Sequence, residues 1–227
     1  MEYGQFCPIA KASEVIGEKW TILIIRELLI GATRFNELQR ALSLISPTLL
    51  SKRLDSLELD GLIVKKKIQG QKGYEYFPTQ SCQELMPTIL SIGEWGMKWT
   101  VSRLSHKDYD VELLMLYLLR SIQPQNLPGN NTVIRFKFTN VDTFPEWWIL
   151  VDKDNVDFCT HDPGREVDVY FTSTIETLTE IWMGRGNYKK AVRDGDLKLV
   201  GDSNLTNNVT NWMANSVFAG LPAASEI

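Results

Sequence analysis

The chain has 227 residues, 44% of them hydrophobic and 23% charged, and its 24 Lys and Arg against 28 Asp and Glu leave a net charge of −4. That apolar fraction excludes a disordered polyelectrolyte, and the length exceeds a typical domain of about 100 to 150 residues, so two domains are expected. Residues 1–105 carry 13 basic against 11 acidic side chains and residues 106–227 carry 11 against 17, so only the first half suits a polyanionic partner.

In chain order, a helix is predicted from Ile9 to Ile16, just after Cys7 and Pro8. The longest apolar stretch, Thr21 to Ile30, is interrupted by Arg26 and Glu27, which excludes a membrane span. Glu2 and the lack of an apolar signal core lead to the expectation of a cytoplasmic chain. Three cysteines, Cys7, Cys82 and Cys159, are an odd number without paired spacing, which argues for a reducing compartment and against a disulfide framework.

Residues 35–63, FNELQRALSLISPTLLSKRLDSLELDGLI, predict a helix, a tight turn and a second helix opened by Ser46 and Pro47, an N-cap and a first helical position. On that second helix Leu50, Leu54 and Leu57 share one face, which must be buried. Thr48, Ser51, Lys52 and Asp55 turn the other way, short and polar enough to read base edges in a major groove. Two β-type runs follow, Ile63 to Ile68 and Tyr74 to Pro78, around a tip of Gln69 to Gly73. Helix, turn, helix and basic hairpin make a winged helix, and residues 34–72 have a net charge of +4 inside a −4 chain. Double-stranded DNA is the expected partner, met by Arg34, Ser46, Thr48, Ser51, Lys52, Arg53, Lys67, Gln71 and Lys72. A plain helical hairpin with a solvated charged face is the bland alternative, and the succession of four elements weighs against it. A long helix over Glu84 to Leu104 ends the domain. Its stripe of Leu85, Ile89, Ile92, Trp95, Trp99 and Val101 suits a partner surface, unless it packs within its own chain.

These stretches, with CPIAKASEVIGEKWTILIIRELL (7–29), RFNELQRAL (34–42), ISPTLLSKRLDSLELDGLI (45–63) and GYEYFPT (73–79), resemble the HxlR-type family of bacterial winged-helix transcription regulators, relatives of the MarR group. The resemblance runs from residue 7 to about 100. It implies a homodimer on operator DNA, with the helix from Ser46 to Asp60 in the major groove and the wing near the backbone or minor groove. It also implies a dimer interface from the first and last helices, here with Ile9, Trp95 and Trp99. Leu44 departs from the glycine that the family often has before Ile45. Cys7 matches a position that is often cysteine, and in some family members that thiol senses oxidants or electrophiles. A thiol in that role needs exposure and a low pKa. A buried structural cysteine is the competing reading.

A polar link, Ser105 to Asp110, precedes an α+β second half. A helix is predicted from Val111 to Ser121, closed by Pro124 and a Pro128, Gly129, Asn130 turn. Strands follow at Ile134 to Phe138, Trp147 to Val151, Val156 to Cys159 and Val167 to Phe171. Ser173 and Glu176 have capping-box spacing and open a helix with Ile175, Leu178, Ile181 and Trp182 on one face. A helix from Asn187 to Arg193, a strand from Leu197 to Val200 and a helix from Ser203 to Phe218 complete the chain. Helices over one face of an antiparallel sheet would make a container. Gly184, Arg185, Gly186 reads as a helix stop and turn, since it follows a helix and lacks the third glycine of a dinucleotide fingerprint.

That order, above all VDVYFTSTIETLTEIWMGRGNYKKAVRDGDLKLVGD (167–202), resembles the sterol-carrier-protein fold over most of residues 110–220. The resemblance implies a hydrophobic cavity between sheet and helices that holds a lipid or another apolar molecule. Its expected lining is Leu116, Tyr117, Trp147, Trp148, Trp182, Met183, Trp212 and Phe218, unless these only pack a core. His106 and His161 are far apart and lack metal-ligand spacing, and no Gly-x-Ser-x-Gly or phosphate loop is present. No catalytic centre, metal or cofactor is therefore expected.

The sequence thus describes an α+β chain, a winged helix-turn-helix domain at 1–105 and a sterol-carrier-like sandwich at 110–227. The expected function is that of a non-enzymatic, cytoplasmic, homodimeric transcription regulator answering to a hydrophobic or amphipathic small molecule, with no membrane partner. One alternative is a regulator switched through Cys7. Another, a lipid carrier with a vestigial DNA-binding domain, would be favoured by loss of basic residues at 52, 53 and 65–67, and none is lost.

Overall fold

A computed structural model describes residues 2–129, 131–222 and 224. Packing divides the chain into two compact units, Met1–Gly93 and Glu94–Ile227. The division falls inside a helix, some way before the polar link that the sequence offers as a boundary.

The first unit opens with α1 (Pro8–Ile16), α2 (Thr21–Leu29), α3 (Phe35–Ala41) and α4 (Pro47–Leu59). Glu37 closes the start of α3 by accepting from the backbone N–H groups of Thr33 and Arg34, at 2.8 and 3.0 Å. Ser46 caps α4, its hydroxyl accepting from Leu49 N, with Pro47 at the first helical position. The buried face of α4 is Leu50, Leu54 and Leu57, as the spacing requires. At its C-terminal end Gly61 adopts φ +72°, and Leu62 N donates to Leu57 O, so the chain reverses into the next strand. β1 (Ile63–Lys67) and β2 (Tyr74–Pro78) pair antiparallel, Ile63 opposite Pro78 and Lys67 opposite Tyr74. Tyr76 N donates to Thr33 O, which adds the α2–α3 connection as a third line beside the hairpin. A short α5 (Gln80–Gln83) buries Cys82, and α6 (Met86–Trp99) follows. The helix expected from Glu84 to Leu104 is therefore shorter, because Thr100 leaves helical geometry and a 3₁₀ turn takes Val101–Arg103.

The second unit holds α7 (Val111–Ser121), β3 (Asn131–Phe138), β4 (Glu146–Asp152), β5 (Asn155–Cys159), β6 (Val169–Ser173), α8 (Ile175–Trp182), α9 (Tyr188–Asp194), β7 (Leu197–Gly201), α10 (Ser203–Asn207) and α11 (Val209–Trp212). Its sheet has the order β5-β4-β3-β6-β7. The sheet is mixed rather than antiparallel, because the chain crosses from the β5 edge to the far side of β3, where β6 runs parallel to it. On the inner face Ile134, Phe136, Phe138, Trp147 and Ile149 meet Leu114, Leu118, Leu178, Ile181 and Trp212 in one core.

Two local expectations change. Thr174, not Ser173, caps α8 by accepting from Thr177 N, since Ser173 is still paired with Leu197 in the sheet. The single helix expected from Ser203 to Phe218 is broken at Asn208 (φ −119°, ψ 25°), in a stretch rich in asparagine, a poor helix former. Met213 then bridges Ile122, and Ala214 N donates to Ser121 O. In the expected Pro128, Gly129, Asn130 turn, Gly129 has φ +81°, and Asn130 lies outside the described residues. Among the described residues no helix is long and apolar enough to cross a membrane.

Candidate functional site

With Leu50, Leu54 and Leu57 fixed inward, α4 turns Thr48, Ser51 and Lys52 to solvent. Ser46 is exposed too, but its hydroxyl is engaged in capping. Helix and hairpin are locked together. Lys65 Nζ lies 3.3 Å from Asp55 Oδ1 and sits over the rings of Tyr74 and Tyr76 at 4.7 and 5.9 Å. Lys65 thus links the wing to α4 without using any exposed cation. Lys67, Gln71 and Lys72 remain exposed on the wing, and Arg34 pairs with Glu75 across it at 3.6 Å.

Arg53 departs from expectation. It forms an ion pair with Glu18, and its Nε–H donates to Lys19 O at 3.1 Å. Only 13% of its side chain is exposed. It points back into the unit and ties α4 to the α1–α2 corner, where Trp20 holds a left-handed φ of +79°. Helical periodicity puts residue 53 beside 52 without telling which side of the buried stripe it falls on, and the partner is 34 residues away. Lys66 was missed: it is exposed on β1, with its ammonium 4.9 Å from the Phe77 ring. The Lys65–Lys67 run was the signal, and strand alternation could have separated its members. Lys19, exposed at the corner that Arg53 holds, had no local signal.

Of the residues expected at a dimer interface, Ile9 is 77% exposed, Trp95 60% and Trp99 50%. Phe6, before α1, is fully exposed. Val101, placed on the same stripe in the sequence, is instead buried with Met97 against Met183 and Phe218. Cys7 is partly exposed at the N-cap of α1. Cys82 is buried, and burial pushes its thiol pKa up.

The eight residues expected to line one space in the second unit divide between two apolar clusters and the opposite face of the sheet. Trp147 and Trp212 belong to the packed core, in edge contact with Phe158 and Phe171 at 5.3 and 6.2 Å. Tyr117 stacks on Trp182 at 4.7 Å, and the Trp182 indole donates to Ser121 Oγ at 2.8 Å. Leu116 is half-buried on α7. Met183 and Phe218 cover Met97. Trp148 follows Trp147 in a strand and so faces the other side of the sheet. There it stands opposite Arg135, whose guanidinium lies 5.7 Å from its ring and 5.8 Å from the Tyr170 ring. Arg135 Nη2 bonds Glu146 at 2.7 Å and holds that carboxyl below its ordinary range. The turn read at Gly184 is present: its φ is +80°, and a Cβ there would lie 2.5 Å from Ala219 Cβ, so the chain after α11 crosses directly over the end of α8.

Comparison with known proteins matches residues 15–103 to the model of the HxlR-like helix-turn-helix family and residues 119–214 to that of the SCP-2 sterol transfer family. The HTH-type transcriptional regulator YvaP of Bacillus subtilis is 34% identical over 101 residues, 44% of this chain and 94% of that protein. YdeP of the same organism is 33% identical over 94 residues, 41% of this chain and 73% of that one. A crystal structure of a MarR-family regulator from Porphyromonas gingivalis is 34% identical, with a TM-score of 0.38 over 41% of this chain and 92% of that one. Helix-turn-helix and wing on one side of the chain and the SCP-2 match on the other lead to one assignment: the chain belongs to the HxlR-like helix-turn-helix family of transcription regulators and carries an SCP-2 domain after it.

Proposed function

We propose that the protein binds operator DNA as a homodimer and that a small amphipathic molecule taken up by the SCP-2 domain changes its affinity for that DNA. The observation that carries the DNA reading is the clear outward face of α4, Thr48, Ser51 and Lys52, linked through the Lys65–Asp55 ion pair to a wing that exposes Lys67, Gln71 and Lys72. Hydroxyl and ammonium groups on such a helix meet base edges and phosphates in the major groove. Exposed Phe6, Ile9, Trp95 and Trp99 support the dimer, since aromatic side chains of this size rarely stay in water without a partner. Binding should favour a pseudo-palindrome with half-sites about 10 base pairs apart or a multiple of that.

Lys52→Ala is expected to weaken operator binding about tenfold, to lower the salt dependence by about one released ion per half-site, and to leave the melting temperature unchanged. Fluorescence anisotropy against salt measures all but the last. Unchanged affinity would remove α4 from the interface. The signal is separable by a second measurement. Ligand responsiveness predicts that Cys7→Ser keeps the effect of small molecules on operator affinity. A response to diamide or peroxide that Cys7→Ser abolishes would transfer the signal to the thiol.

A further inference from the structure

The sheet of the second unit has one face closed by helices, and the residues across its middle on the other face are Cys159, Trp148, Arg135, Tyr170 and Val200, each the Cα partner of the next. Among the described residues, two polar atoms there lack a partner. Trp148 is 6% exposed, and its Nε1 is buried with no acceptor; Arg135 Nε is buried with none either. Both atoms can only donate. Native proteins seldom leave such groups unsatisfied, and bulk water does not reach these two. What completes them is an acceptor oxygen.

The surroundings specify the rest of the molecule. Val133 is buried and Leu150 half-buried on the same face, while Tyr170 and Val200 form its exposed side. The row on one side adds Lys137 and Lys198 against Glu146 and the row on the other adds Asp157 and Asp168, so the positive end of the face lies at Lys137 and Lys198. Indole and phenol rings on either side of a guanidinium favour a flat body over a flexible chain. We propose that this helix-free face binds an aryl carboxylate, its oxygens accepting from Arg135 Nε and Trp148 Nε1 and its ring lying along Tyr170 and Val200. The inference rests on the reading of the second domain as ligand-binding, and moves the site from the packed interior to the opposite face of the sheet. Tyr170, the exposed lid of the guanidinium stack, must swing aside to admit the ligand.

Calorimetry on the full chain tests this with 2-naphthoate and its neutral analogue 2-naphthylmethanol. The acid is expected to bind at least tenfold more tightly than the alcohol. Trp148→Phe, which keeps a ring and deletes the donor, should cost about tenfold in affinity, and Arg135→Lys a similar factor through loss of Nε and the planar fork. Trp182→Phe, on the helix side, should bind as the parent does. No naphthoate binding to the parent chain would mean that an enclosed water serves the two donors, and the site would be lost. Operator titrations separate this from the functional reading. An effect of naphthoate on DNA affinity that survives Trp148→Phe would sink the site and keep the ligand response. Binding abolished by Trp148→Phe, with operator affinity indifferent to naphthoate, would keep the site and sink the response.

Discussion

Changing Trp95 and Trp99 together to aspartate is expected to turn a dimer into a monomer by light scattering and to weaken operator binding by about a hundredfold or more. The two indoles sit four residues apart on α6, both at least half exposed, and a two-fold interface counts each change twice. Buried aromatic rings supply most of the area in such an interface, and carboxylates in their place would be desolvated without partners. A monomer holds one half-site where the dimer holds two, and the loss of that linkage is worth about 10² to 10⁴ in affinity. The variant should still fold, because the same helix is anchored by Met97, which is buried beside Val101 against Met183 and Phe218. A monomer with retained circular dichroism and a weakened operator complex is the expected outcome. A variant that keeps both its dimeric mass and its DNA affinity would place the interface on other residues.

Much of this was legible in the sequence where the determinant is local. Ser46-Pro47, the leucine spacing of α4 and the glycine-bounded wing each depend on residues within a turn or two, and all appear as read. The Val111–Ser121 helix and the four-strand succession were visible for the same reason. What could not be read was anything set by distant chain. β6 pairs parallel with β3 because of a crossover between them, which alternation of side chains cannot report. The helix expected through Phe218 ends early because Met213 joins Ile122, some ninety residues earlier in the chain. Within the site, a list of large apolar residues could not say which face of the sheet each would take. Trp147 and Trp148 are both large and apolar, yet a strand must send such neighbours to opposite sides. The unpartnered donors of Trp148 and Arg135 had no sequence signal at all, since satisfaction of a hydrogen bond is a property of the folded neighbourhood.

Arg53→Ala should behave unlike Lys52→Ala, although the two residues are neighbours in a basic pair. Removing Arg53 leaves Glu18 without its ion-pair partner and Lys19 O without its donor, at a corner where Trp20 already holds a left-handed backbone. A largely buried donor lost from a charged pair costs about 2 kcal/mol, reduced where the partner still touches water, as Glu18 does. The first unit is therefore expected to melt several degrees lower, and operator binding to fall with it because the α1–α2 corner no longer steadies α4. Arg53→Lys should rescue little, since an ammonium cannot serve the carboxylate and the carbonyl with the spacing of Nη1 and Nε. A cycle with Glu18→Gln supplies the control. The two single changes should cost more in sum than the double change, by about 1 kcal/mol, because they break the same interaction. Additive costs, with an unaltered melting temperature and a loss of DNA affinity equal to that of Lys52→Ala, would return Arg53 to the DNA face.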